Sequence, residues 1–170
     1  MLDEYLTNMK IENCRENPEV TFAIFRCPPV TIRGSDFDPM PGKGLSYSGT
    51  REENSFFYQG GTGMAIRVEE GHDPMTNNGW ARWGIYSVEL CAGEFAVYSI
   101  HQTAEGTKLT LNLTVRENGT ISITQDDKLL GSMQTKSGDE VSFALHAASE
   151  SRIGVKVESG HFVLNSLCFG

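Results

Sequence analysis

The sequence WARWGIYSVELCAGEFAVYSIHQ, residues 80–102, contains two strand-like runs on either side of a short turn. Tyr86–Leu90 and Phe95–Ile100 flank Cys91–Glu94, which is the pattern of a β-hairpin. Gly93 supplies a residue that adopts positive φ in a tight connection without steric cost. Alternate side chains of a strand point to the same face, so one face of the first run should be core. The residues expected on that face are Tyr86, Val88 and Leu90.

Runs of this kind recur along the chain, and no segment longer than a turn or two shows the helical period. Lys108–Val115 alternates cleanly, and Glu117–Gly119 is a turn signal before Ile121–Ile123, so we predict a second hairpin there. About nine or ten strands separated by turns are typical of an all-β antiparallel sandwich. The other predicted strands are Glu19–Arg26, Val30–Asp38, Met64–Glu69, Val141–Leu145, Arg152–Val157 and His161–Phe169. The predicted core contains Tyr86, Val88, Leu109, Leu111, Leu113, Phe143 and Val155.

Composition indicates one soluble domain, because 170 residues with 39% hydrophobic side chains are enough to bury a complete core. The formal net charge of -8 argues against nucleic acid and anionic membrane surfaces, since both need a basic patch on the protein. Residues 1–30 lack the pattern of a signal peptide, as a segment of a secreted protein also would. The four cysteines show no CxxC pair, so buried thiols are expected. They are Cys14, Cys27, Cys91 and Cys168.

Several short motifs follow one another between residues 30 and 170. They are Ile32–Asp38, Gly42–Tyr47, Asn54, Arg67, Glu70–Asp73, Trp83–Val88, Ala92–Gly93 and Phe162–Asn165. Their order and spacing resemble those of the carbohydrate-binding modules of family 6, which are related to the family 35 and 36 modules. Such modules are jelly-roll sandwiches appended to secreted glycoside hydrolases. The resemblance therefore implies an antiparallel jelly-roll β-sandwich over residues 30–170, with residues 1–29 as an N-terminal extension, a linker or a strand packed on it.

The resemblance also implies a sugar site at the loop end of the sandwich. There, two aromatic side chains hold the apolar face of a sugar, and an asparagine hydrogen-bonds its hydroxyl groups. Tyr47 matches the first aromatic residue. The place of the second falls on Met133, and that of the asparagine falls on Val163. Tyr47 would then be the stacking platform and Met133 a softer opposite wall, although Tyr47 could instead anchor its own loop.

Two further residues are candidates for ligand contact. His161 lies beside the matched site and could replace the lost asparagine as a hydrogen-bond donor, although a surface histidine is the alternative. Trp80 follows the polar Asn77–Gly79 loop and could contact a ligand on the concave sheet face, a second site in some family members. Trp83, at the start of a strand, is expected in the core.

The family's structural calcium is the one cofactor that the resemblance implies. Its oxygen ligands come from a segment matched here by Arg33 and Ser35, and a cationic arginine beside calcium is unfavourable. Acidic side chains remain nearby, and a late amide matches the family pattern. The candidate metal ligands are therefore Asp36, Asp38 and Asn165.

Motifs for catalysis are missing from the sequence, which has no GxSxG elbow, phosphate-binding loop or HExxH pattern. The leading hypothesis is a non-catalytic, extracellular module that holds an attached glycoside hydrolase close to a polysaccharide or oligosaccharide. The alternative is a structural or protein-docking sandwich that has lost sugar binding, and a small β-sandwich enzyme is the third hypothesis. Asn112–Thr114 and Asn118–Thr120 match the acceptor sequence for N-linked glycans.

Overall fold

A computed structural model describes residues 26–49, 59, 61–68 and 86–170, and every regular element among them is a β-strand. All the ladders between strands are antiparallel. None of the described residues forms a helix long and apolar enough to cross a bilayer. The strands are β1 (Val30–Arg33), β2 (Ala65–Val68), β3 (Tyr86–Cys91), β4 (Phe95–Thr103), β5 (Lys108–Gln125), β6 (Lys128–Thr135), β7 (Val141–Ala144) and β8 (Ala148–Phe169).

Two long strands, β5 and β8, are paired along most of their length and belong to both layers of the fold. The first half of β8 pairs with β4, whereas its second half pairs with β3 and β1. On the other side, β5 pairs with β7 near its start and with β6 near its end. We call the layer of β4, β6 and the adjoining halves of β5 and β8 the first layer. The second layer contains β1, β2, β3, β7, the first half of β5 and the second half of β8.

The passage between the layers coincides with irregular pairing of β5 and β8. Their register shifts between Val115 and Ile121. At the same place Gly160 has a φ of 87°, a conformation that costs glycine little. A Cβ atom on Gly119 would lie 1.9 Å from the backbone oxygen of Ser159. The two strands can therefore cross this corner together only because glycine stands at these positions.

In the stretch at residues 80–102, which the structure describes from residue 86, strands form where the sequence predicts them, but the predicted hairpin does not. β3 pairs with β2 and β8, and β4 pairs with the other half of β8. The turn between them is a corner that carries the chain from the second layer to the first. Glu94 closes this corner, because its carboxylate accepts a hydrogen bond of 2.8 Å from the backbone N–H of Cys91 and its own carbonyl accepts one from Val157. Gly93 has the expected positive φ, 85°.

The second predicted hairpin is also wrong, because β5 continues through Glu117–Gly119. The chain reverses at Asp126–Asp127 instead, where both residues have positive φ, 51° and 63°. A tight turn with positive φ at both of its central residues has a backbone twist that matches the right-handed twist of the flanking strands. In the same way, the predicted strands Arg152–Val157 and His161–Phe169 form one strand, β8.

The core confirms most of the residues expected there from the alternation. Five are buried, namely Tyr86, Val88, Leu109, Leu111 and Val155. Leu113 and Phe143 are half-buried against the core rather than inside it. Cys27, Cys91 and Cys168 are half-buried, not buried as predicted. β1 ends at Arg33, earlier than predicted, because the chain turns there and Asp36 N–H donates to the Arg33 carbonyl at 3.0 Å.

Candidate functional site

A gap in the pairing of β5 produces the groove that we consider the candidate site. β7 pairs with Lys108–Leu111 and β6 pairs with Gly119–Gln125. Between these segments, residues 112–118 have no strand partner on that side within the described part of the chain. Where β7 covers β5, Leu109 and Leu111 are buried, but in the gap Leu113 and Val115 are only half-buried. The gap therefore leaves this edge of β5 uncovered at the rim of the sandwich.

A groove of ≈ 490 Å³ lies at the end of this gap. Its volume falls within the range of roughly 300–1,000 Å³ that is usual for small-molecule sites. The residues that line it are Asn118, Gln134, Thr135, Lys136 and Asp139. Four of them are exposed and supply two amides, an ammonium group and a carboxylate, whereas Thr135 is buried and its hydroxyl donates to the Met133 carbonyl at 3.3 Å. Together they can both donate and accept hydrogen bonds, which suits a ligand that carries many hydroxyl groups.

The β6–β7 loop, which forms one wall of the groove, is held at both ends. Lys136 N–H donates to Asp139 Oδ2 at 3.0 Å, and Asp139 N–H donates to the Lys136 carbonyl at 3.1 Å. Lys108 Nζ lies 2.5 Å from Glu140 Oε1. This hydrogen bond is the main cause of a pKa of Glu140 below its usual value. The wall of the groove is thus preorganised, which reduces the entropy lost on binding.

Tyr47 and Met133 do not face each other across one cleft. Tyr47 pairs with Ala96 of β4, and its ring packs on Phe37 with centroids 5.5 Å apart. Met133 lies on β6 opposite Ile121, and its side chain is half-buried against the core. Three strands, β4, β8 and β5, separate the two residues in the first layer. Four ladder steps correspond to roughly 19 Å.

His161 lies on the outer side of the second layer, where it takes part in a three-residue cluster. Glu89 on β3 is buried, although it points away from the core, and its carboxylate contacts both the His161 ring and the Arg67 guanidinium. Val163 is the cross-strand neighbour of Glu89 and is also buried. Trp80 falls outside the described residues.

Some of these residues were not anticipated from the sequence. Glu89 sits at a polar position of an alternating strand, so its burial depends on neighbours from other strands. Asn118 and Gln134 are distant in sequence and meet only because β6 folds back along β5. In the sequence, Asn118 was part of the predicted turn Glu117–Gly119 and of an acceptor sequence for N-linked glycans, and neither pointed to a ligand site.

The candidate calcium ligands are engaged with cationic and neutral groups of the protein. Asp36 Oδ2 accepts from Arg33 Nε at 2.8 Å. Asp38 Oδ1 pairs with Arg26 at 2.8 Å, and its Oδ2 accepts from Ser99 at 2.6 Å. Asn165 donates to Thr114 Oγ1 at 3.1 Å. No group of three histidine, cysteine, aspartate or glutamate side chains could hold a metal in the described segments. Arginines bound to both carboxylates do not fit a calcium site.

Removal of calcium should therefore leave the stability of the protein nearly unchanged. A tight site would stabilise the folded state by mass action, so its loss would lower Tm by several degrees. We expect scanning calorimetry to give the same Tm with EDTA and with added calcium. A clear fall in Tm with EDTA, reversed by calcium but not by magnesium, would contradict this expectation.

Comparison with known proteins shows similarity in structure alone. No protein-family model and no curated protein sequence matches the chain. A CBM6 module from Clostridium stercorarium in complex with cellobiose has a TM-score of 0.57 and 16% identity, over 85% of this chain and 95% of that one. A β-1,3-glucan binding CBM6 from Bacillus halodurans has a TM-score of 0.55 and 12% identity, over 84% and 96% of the two chains.

A third similar structure is a larger enzyme. The family 43 arabinoxylan arabinofuranohydrolase from Bacillus subtilis, in complex with cellotetraose, has a TM-score of 0.53 and 13% identity. The match covers 84% of this chain but 27% of the enzyme. Likeness at these identities establishes the fold. The fold of this protein is that of the family 6 carbohydrate-binding modules, an antiparallel jelly-roll sandwich, as the order of its motifs predicted.

Proposed function

We propose that this protein is a non-catalytic carbohydrate-binding module. The observation that carries the proposal is the groove at the gap in β5, which polar residues line in a fold that sugar-binding modules also have. Amide, hydroxyl and charged groups are the partners that fix the hydroxyl rim of a sugar. The formal net charge of -8 favours a neutral ligand over a polyanion.

Recognition in the groove would rely on hydrogen bonds. None of the described residues that line it is aromatic, so the proposal assigns no ring stacking, worth about 1 kcal/mol per contact, to the groove. Net hydrogen bonds contribute about 1 kcal/mol each. We therefore expect weak, reversible binding to each sugar, which suits a module that works by holding an attached enzyme near its substrate.

The attached partner in this proposal is a carbohydrate-active enzyme in an extracellular protein. The arabinofuranohydrolase from Bacillus subtilis supports this arrangement, because a segment of similar fold makes up part of that longer chain. Residues 1–29 would be an extension that joins the sandwich, residues 30–170, to its neighbour. A structural calcium is not part of the proposal.

A structural or protein-docking role is the second candidate. Two matched positions of the family's sugar site carry Met133 and Val163, and both pack as apolar side chains rather than presenting polar groups to a ligand. A sandwich with this substitution pattern could keep its fold without binding sugar. Failure of the chain to bind any polysaccharide would favour this role.

The proposed function is tested by a glycan array followed by titration calorimetry with the best ligand. In the groove variant Asn118→Ala/Gln134→Ala, we expect the affinity to fall at least about tenfold, because two hydrogen-bonding amides are lost. Ser132→Ala is the matched control, since Ser132 is exposed on the same strand but does not line the groove. It should bind like the unmodified protein.

Tyr47→Ala distinguishes the groove from the edge of the sandwich at which Tyr47 lies. If the groove is the site, this variant should keep its affinity, because roughly four strand spacings separate the two places. Loss of binding in Tyr47→Ala, with the groove variant unaffected, would move the site to Tyr47. Substitution of His161 tests the outer side of the second layer in the same way, because the affinity should stay unchanged if the groove is the site.

A further inference from the structure

A serine hydroxyl group accepts a backbone hydrogen bond at the corner where β5 and β8 pass between the layers. The backbone N–H of Thr120 donates to Ser159 Oγ at 3.1 Å. The register of the two strands shifts on both sides of this pair, between Glu117 and Thr120 and between Thr120 and Ile121. Because the ladder is irregular on both sides, the hydrogen bond to Ser159 contributes directly to the position of Thr120.

Thr120 is the residue that connects the two amides of the groove. Gln134 is its cross-strand partner on β6, and Asn118 is two residues before it on β5. In a regular ladder, diagonal neighbours such as Asn118 and Gln134 lie roughly 7–8 Å apart, which is within reach of long side chains. The ladder from β5 to β8 is not regular here, so the spacing of the two amides depends on where the corner holds Thr120.

Close packing at two glycines limits how Asn118 can move. A Cβ atom on Gly160 would lie 2.8 Å from the carbonyl oxygens of both Glu117 and Asn118. On the same strand, the backbone oxygen of Ser159 is 1.9 Å from the position that a Cβ atom on Gly119 would take. The backbone of Asn118 is thus packed against the Ser159–Gly160 segment of β8. Ser159 itself is exposed and lies outside the lining of the groove.

We infer that Ser159 is a positioning residue for sugar binding in the groove, an inference that rests on the proposed function. Its hydroxyl group holds the Thr120 N–H and does not touch the sugar. The fixed position of Thr120 in turn keeps the side-chain amides of Asn118 and Gln134 at a spacing at which both can hydrogen-bond one sugar. A pair of groups that is already in place loses less entropy when the sugar binds.

Loss of this hydroxyl group should loosen the groove without unfolding the protein. Ser159 is exposed, so water can replace it as the acceptor for the Thr120 N–H, and no buried group is left without a partner. A water molecule is not attached to β8, however, and does not tie Thr120 to that strand. The two amides of the groove should therefore become less ordered.

Amide hydrogen exchange measures the role of Ser159 without any sugar. In Ser159→Ala, the Thr120 amide should exchange about tenfold faster, and the side-chain amide signals of Asn118 and Gln134 should shift in the NMR spectrum. Ser159→Thr keeps the hydroxyl group and should restore both. Ser149→Ala is the matched control, because Ser149 is exposed on the same strand and its side chain forms no hydrogen bond within the described part of the chain.

Titration calorimetry relates this order to binding. The probe is cellotetraose, or the oligosaccharide that binds best on the glycan array if cellotetraose does not bind. We expect Ser159→Ala to lower the affinity about fivefold, which is the effect of about one lost hydrogen bond. Ser159→Thr should bind within about twofold of the unmodified protein, and so should Ser149→Ala. All three variants should keep a Tm close to that of the unmodified protein, which a purely structural role of the hydroxyl group would not combine with weaker binding.

The two measurements together separate the role of Ser159 from the function of the groove. Weaker binding without faster Thr120 exchange would show that the hydroxyl group contacts the sugar directly, which overturns the inference. Faster exchange with unchanged affinity overturns it as well, and so do unchanged exchange and unchanged NMR signals in Ser159→Ala, even where no sugar binds. Absence of sugar binding by the unmodified protein, together with the expected exchange, would support the positioning of the two amides and contradict the proposed function.

Discussion

Replacement of Gly119 by alanine is expected to lower the free energy of unfolding by about 3 kcal/mol, because the new methyl group overlaps backbone that cannot move aside cheaply. The added Cβ would lie 1.9 Å from the Ser159 carbonyl oxygen and 2.7 Å from the Cα of Gly160. To accept it, β5 and β8 would have to separate at the corner where both pass between the layers. For a chain of this size the loss corresponds to a fall in Tm of roughly 10 °C.

Gly138→Ala is the matched control for this prediction. Gly138 has a φ of 90°, but nothing lies within 4 Å of the position that its Cβ would occupy. Only the backbone conformation is then unfavourable, which costs about 1 kcal/mol. Urea unfolding of both variants distinguishes the overlap of the added methyl group with the backbone from backbone strain. If both variants lost the same free energy of unfolding, crowding at the corner would not be the reason that position 119 needs glycine.

Replacement of Glu89 by alanine is the second change with a large expected effect. Its buried carboxylate contacts Arg67 and His161, so the substitution leaves these groups without their partner. Removal of one member of a fully buried charged pair costs about 3–5 kcal/mol, much of it from the charge left behind. Because the Arg67 side chain is 57% exposed and remains hydrated without its partner, the cost here should be smaller. We expect a loss of about 2 kcal/mol in the free energy of unfolding, measured by urea denaturation at neutral pH.

Glu150→Ala shows what an exposed glutamate next to histidine contributes. Glu150 lies 3.9 Å from His101 Nδ1, and its side chain is 80% exposed. Exposed pairs of this kind contribute about 0–1 kcal/mol, so this variant should unfold almost like the unmodified protein. If Glu89→Ala were as mild as Glu150→Ala, the cluster on the second layer would not contribute to stability.

The sequence showed which face of a strand is buried, but it did not show which strands pair with each other. Alternation identified Val88, Leu109 and Val155 as core residues, since the two-residue period of a strand is a local property. It could not show that β3 and β4 pair with different halves of β8, because a short turn between two strands fits a hairpin and a corner between layers equally well. The long-range register of β8 decides between them.

The candidate site was harder to predict for the same reason. Motif order placed Tyr47 and Met133 in one cleft, but that inference carried distances over from other proteins. In this chain the ladder separates the two residues by three strands. The groove instead depends on a gap between β6 and β7, and a gap has no residue pattern of its own. Asn118 lies in the predicted turn Glu117–Gly119 and Gln134 directly follows the matched position Met133, but neither feature indicated a groove.

The continuity of β5 and β8 through both layers also determines how the protein can open. In a sandwich made of separate sheets, one sheet can peel away while the other persists. Here the same two strands supply ladder bonds to both layers, so one layer cannot lose its central strands without disrupting the other. Hydrogen exchange should therefore find a single cooperative unit, with amides of Val155 in one layer and Leu164 in the other exchanging through the same global opening.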